Sequence, residues 1–156
     1  MVATLGLLLC CGLISCSPPT TPARKVLTRY RLKNAYYTMQ VLEKDNRQSI
    51  VEQLQNVTNK STLQDKWVEL MVRTAVQSGI QPKTALEQLC HDGYGNLFNV
   101  DFRANLVTHM ASPSLTNLTF PVVVWSSGPN GSNELGFGDD IVAPSSGPVA
   151  ASSLRR

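Results

Sequence analysis

Asp139 and Asp140 stand side by side at the end of a loop dense in Gly, Ser and Asn. Adjacent carboxylates can act as paired acids or hold a cation. On a strand they would point to opposite faces, which defeats shared acid–base work; in a tight loop both can reach one ion. The preceding residues, Ser126-Ser-Gly-Pro-Asn-Gly-Ser-Asn-Glu-Leu-Gly-Phe-Gly138, supply such a loop. Glycines at 128, 131, 136 and 138 admit positive φ and let carbonyl oxygens turn inward. Carbonyls plus two or three side-chain oxygens on one loop suit a hard cation such as Ca²⁺, which takes about six to eight oxygen ligands. The competing reading is a β-turn at Asn130-Gly131 in a solvated surface loop.

Other chemistry is sparse. Cys90-His91-Asp92 holds the residue types of a catalytic triad, but triads are assembled in space from distant segments. His91 and His109 lack the paired spacing of a zinc site. No glycine run follows a strand and opens a helix, so a phosphate cradle is not indicated. The expectation is a protein that is not an enzyme.

The elements that must position the loop change character along the chain. Residues 23–45 contain no Gly or Pro, and Val26, Tyr30, Tyr37 and Val41, with Leu27 and Leu42 beside them, recur near helical spacing. That predicts a long helix with its tyrosines in the core and its Arg and Lys residues on the other face. A more helical middle follows. Ile50, Leu54 and Val57 share a side; Ser61 is a candidate N-cap for a helix carrying Leu63, Trp67, Leu70, Met71 and Thr74, stopped by Gly79. Pro82 suits the first turn of a further helix with Leu86 and Leu89 inward. Residues 97–102, 105–110 and 118–125 then read as strands separated by turns. Pro121 cannot donate to a ladder and belongs at an edge or bulge. The fold class expected is α+β, a long N-terminal helix packed on a small antiparallel sheet.

Two motifs carry a resemblance. Trp125-Ser-Ser-Gly-Pro-Asn-Gly followed by Gly138-Asp-Asp-Ile141 resembles the C-terminal calcium loop of the type II secretion major pseudopilin and related type IV pilin-like proteins. His91-Asp-Gly-Tyr-Gly-Asn-Leu-Phe98 is similar to the segment leading into that family's sheet. The resemblance implies a pilin-like domain; the helical stretch over about residues 48–90, where such a domain usually has a loop, departs from it as an insertion. The resemblance also implies a Ca²⁺ site with carboxylate oxygens from Asp139 and Asp140, an amide oxygen from Asn130 and a backbone carbonyl from Ser127 or a neighbour. The family usually has Asp at the position of Asn130. Two formal charges instead of three place the expected affinity at about 10⁻⁴–10⁻³ M. The sequence departs from the family at its start, since no prepilin peptidase site with a following apolar run stands before Arg24. The expectation is therefore a lipid-anchored relative that kept the soluble head.

Residues 1–16 carry no charge and run Leu5-Gly-Leu-Leu-Leu-Cys-Cys-Gly-Leu-Ile14, short of the roughly 20 residues that span a bilayer but of signal-peptide length. Leu13-Ile-Ser-Cys16 fits a bacterial lipoprotein signal, with Cys16 acylated; the start Met1-Val-Ala-Thr lacks the basic residue such a signal carries. The expected organisation is a signal peptide over 1–15, a Pro-rich tether over 16–22, the domain over 23–142 and a disordered tail over 143–156. Cleavage leaves Cys90 as a single thiol, so this is not a disulfide scaffold. Charged residues make up 16% and the net charge is +3. Basic residues interleaved with tyrosines near Arg24–Lys33 raise nucleic acid as a partner, against which stands a solvated helix face beside a membrane; the nearly neutral remainder favours the latter. The function expected is a structural or assembly protein of a secretion or pilus-type system. It would sit in the bacterial cell envelope, facing the periplasm or on the cell surface, with protein partners that include other copies of itself. The alternatives are a stand-alone envelope lipoprotein binding a protein or glycan, and, remotely, an envelope hydrolase.

Overall fold

A computed structural model describes residues 21–45, 50–57 and 59–143. The expected signal peptide, the acylation site at Cys16 and the tail beyond Ala143 lie outside the described residues. Helix α1, Thr21–Asp45, already includes Thr21 and Pro22, which the sequence assigns to the tether. It is followed by α2 (Ile50–Leu54), α3 (Lys60–Gln77) and α4 (Pro82–Leu89).

The face that α1 buries is not the one its sequence suggests. Thr28, Leu32, Ala35, Tyr36, Met39 and Leu42 are buried, whereas Val26, Tyr30 and Tyr37 are 67%, 61% and 61% exposed. Both sets have helical spacing, so periodicity alone does not choose between them. Specific contacts do. The Tyr36 hydroxyl donates to the Val124 carbonyl at 3.0 Å and accepts from the Val124 N–H at 2.9 Å. The Thr28 hydroxyl accepts from the Gly93 N–H at 2.8 Å. Gly93 lies so close to α1 that a Cβ there would run into the Arg24 carbonyl oxygen. Small side chains and one well-placed phenol fix the phase of this helix.

Helix α3 is capped by Asn59, whose side chain accepts from the Ser61 N–H and hydroxyl, both at 3.0 Å. Ser61, the expected cap, thus lies inside the first turn, because the Asn59 oxygen reaches the orphan N–H two residues on. Leu63, Trp67, Leu70 and Met71 are buried as expected, with the Trp67 indole N–H 3.4 Å from the Met39 sulfur. Helices α2 to α4 share one hydrophobic cluster with α1 and the sheet.

The sheet has three antiparallel strands in the order β1 (Asn99–Phe102), β2 (Val122–Ser126), β3 (Ile141–Val142). Val100 pairs with Val124, and Ser126 with Ile141. All five residues of β2 are buried, as the apolar run Val122-Val-Val-Trp125 requires of a central strand. The strand expected over 105–110 is instead helix α5 (Arg103–Thr108), followed by α6 (Pro113–Thr116). Only Leu106 in that stretch is buried, while Val107 and Met110 are exposed, so no alternating face exists to hold it in a sheet. Pro121 precedes β2 and accepts from the Arg103 N–H at 2.8 Å. Among the described residues, no helix is long and apolar enough to cross a membrane.

Candidate metal centre

The loop between β2 and β3 folds around its own acidic residues. Gly128, Gly131, Gly136 and Gly138 all take positive φ. Gly128 is the tightest position: at φ +64° a Cβ would collide with the Asp139 carbonyl, so only glycine lets the two limbs of the loop meet. Asp140 Oδ2 accepts from the N–H groups of Gly136 (2.8 Å) and Glu134 (3.0 Å). Glu134 Oε2 accepts from the Asp139 N–H at 3.1 Å, and Asp139 Oδ2 from the Asn130 N–H at 3.1 Å. Each carboxylate thereby pins a turn with one oxygen.

The second oxygens of the two aspartates are not used this way. Glu134, Asp139 and Asp140 bring one carboxylate oxygen each within 4.8 Å of one another. Asp139 Oδ1 and Asp140 Oδ1 are buried and have no hydrogen-bond partner. Burial pushes the Asp140 carboxyl above the usual carboxylate range, and the nearby Glu134 and Asp139 charges push the same way; the N–H groups of Gly136 and Glu134 pull it partly back. Unpaired buried acceptors and mutually repelling charges are both costly, and one cation between them would relieve both. This cluster can coordinate a metal ion.

A second turn braces the first. Buried Asp92 accepts from the N–H groups of Tyr94 (2.8 Å) and Asn96 (2.9 Å) through Oδ1. Its Oδ2 accepts from the Ser126 hydroxyl at 2.7 Å. Ser126 Oγ in turn accepts from the Gly128 N–H at 3.0 Å, and Asn96 Nδ2 donates to the Gly128 carbonyl at 3.4 Å. On the far side Arg31 of α1 donates to the Asp92 carbonyl at 2.8 Å. The 91–98 motif therefore connects the long helix to the root of the acidic loop.

Of the ligands expected from sequence, Asp139 and Asp140 lie in the cluster. Asn130 lies beside it, with its amide oxygen accepting from the Ser132 N–H at 2.7 Å and its Nδ2 donating to Glu134 at 3.4 Å. Ser127 lies just after β2, and its hydroxyl accepts from Asn99 Nδ2 at 2.7 Å. Glu134 is the member that sequence reading passes over, although an acidic residue five positions before Asp139 in so glycine-rich a loop was the available clue. The triad-like neighbours are engaged separately. Cys90 is buried, which pushes its thiol up to about 12. His91 Nδ1 lies 3.2 Å from the Leu86 carbonyl, and Asp92 serves its turn. His109 is exposed, its Nδ1 at 2.8 Å from the Asn105 carbonyl.

No family model, curated protein or solved structure matches this chain.

Proposed function

We propose that this protein is an envelope-anchored, pseudopilin-like structural or assembly component whose C-terminal loop is fixed by Ca²⁺. The observation that carries the reading is a cluster of three carboxylates, from Glu134, Asp139 and Asp140, in which each aspartate also has a buried oxygen without a hydrogen-bond partner. Hard carboxylate oxygens on a flexible, turn-rich loop favour Ca²⁺ over softer metals, and over Mg²⁺, which demands a near-ideal octahedron. The α+β head, with its long first helix against a small antiparallel sheet, agrees with the architecture that the sequence resemblance implies. The two motifs also touch directly, through Asp92 and Ser126. Acylation at Cys16 supplies the membrane attachment, and the head then works by binding protein partners, copies of itself included.

Titration calorimetry and thermal melts with Ca²⁺ and with Mg²⁺ test the cation. Glu134 makes three formal charges on a partly exposed loop, so a Kd of about 10⁻⁴ M for Ca²⁺ is expected, with Mg²⁺ weaker. Cross-linking of envelopes before and after chelation tests the assembly role: adducts that vanish with chelator support it, and an uncross-linked monomer in both overturns it.

A further inference from the structure

The exposed side of α1 has no partner among the described residues. At about 100° per residue, Val26, Tyr30, Lys33 and Tyr37 fall within a sector of roughly 60° and run about 16 Å along the helix. All four side chains are exposed, and so are Lys25 and Arg29 on their flank. None of these three cations has an ion-pair partner among the described residues. Five basic residues and no acidic one lie before Glu43, although the whole chain carries only +3. Arg31, by contrast, turns inward to the Asp92 carbonyl. The charge on the outer face is thus not used to hold the fold.

We propose that this face of α1 docks on the surface of an anionic bilayer. Exposed cations gain about 1 kcal/mol each beside anionic headgroups, and tyrosines, with an apolar ring and a polar tip, settle at the headgroup level. The face is continuous in sequence with the charge-free residues 1–16. Nucleic acid would use the same cations, but a valine followed by two tyrosines on one line suits the headgroup–acyl boundary, with its wet and apolar sides, better than a row of phosphates. The inference deepens the membrane attachment proposed above, and it places the long axis of the helix along the bilayer plane, so that the acidic loop is carried on a head with a fixed orientation.

The test is flotation of the mature chain, residues 16–156 made without the apolar signal segment and carrying Cys16→Ser, which removes both acylation and the apolar run and so separates this claim from the lipid anchor. The vesicles are phosphatidylcholine with and without phosphatidylglycerol. Binding should need the anionic lipid and fade with salt. The triple variant Lys25→Glu, Arg29→Glu, Lys33→Glu should bind at least about a hundredfold less, and Tyr30→Ser with Tyr37→Ser several-fold less. These side chains are exposed, so melting temperatures should hold; if the charge reversal unfolds, the Gln triple variant gives the same comparison. Equal binding to both vesicle types, or wild-type binding by a folded charge variant, overturns the proposal. Retention on duplex DNA with no vesicle binding overturns it, as does a dimer lost in the tyrosine variant with no vesicle binding.

Discussion

Two carboxylate oxygens with nothing to bind, on Asp139 and Asp140, are where the chemistry of this protein concentrates. The Glu134 carboxylate accepts from the Asp139 N–H, a bond that an amide oxygen could also accept, and it brings the third charge. Glu134→Gln should keep the loop's hydrogen bonding and weaken Ca²⁺ binding about tenfold, read by calorimetry. Asp140→Ala removes both a ligand and the acceptor for two N–H groups, so binding should disappear altogether. The pH response follows from the raised Asp140 carboxyl. A group whose native pKa lies above its unfolded value stabilises the fold below the unfolded value and loses that contribution as pH rises through the native one. In chelator, the loop should therefore be firmer near pH 4 than at neutrality, as reported by hydrogen exchange at loop amides corrected for intrinsic rates. Saturating Ca²⁺ should reverse the order, since the ion prefers the deprotonated cluster.

At the scale of elements, the Asp92 turn joins α1, the end of β2 and the root of the acidic loop through side-chain contacts. Asp92→Ala leaves the N–H groups of Tyr94 and Asn96 without their acceptor, and should cost about 2–4 kcal/mol in denaturant unfolding. It should also weaken Ca²⁺ binding although Asp92 touches no ion. Trp67→Ala empties a fully buried site at the junction of α3 and α1, and should cost about 3–5 kcal/mol. The helices were legible in the sequence because breakers and apolar spacing coincide: Pro82 opens α4, and Leu63, Trp67, Leu70 and Met71 form the inner face of α3. The phase of α1 was not legible, because Tyr30–Tyr37 and Leu32–Tyr36–Met39 are equally periodic, and the choice rests on the tertiary contacts of Thr28 and Tyr36. The segment 105–110 misled through its Val, Thr and Met, which favour no face once Leu106 alone is buried. In the loop the two aspartates stood out by adjacency, whereas Glu134 joins them only after four residues with positive φ between 135 and 138 and at 131 reverse the chain.

Taken whole, the molecule has its helical half and its sheet in one core, with two surfaces left for work: the acidic loop beyond β2, and the basic, tyrosine-bearing side of α1. Attachment is expected to depend on a single residue outside the described region. Cys16→Ala should move the protein out of the acylated pool and, in cells, reduce its share in the membrane fraction; intact mass of the mature chain reads this directly, and an unmodified Cys16 would contradict the anchor. Whether a divalent cation completes the loop shows in melts of the full chain in chelator and in Ca²⁺ at about ten times the Kd. The wild type should rise by about 3–6 °C and Asp140→Ala not at all. A wild type that gives no heat of binding and melts at the same temperature in both would contradict the cation site, leaving the loop a glycine-rich turn held by its own hydrogen bonds.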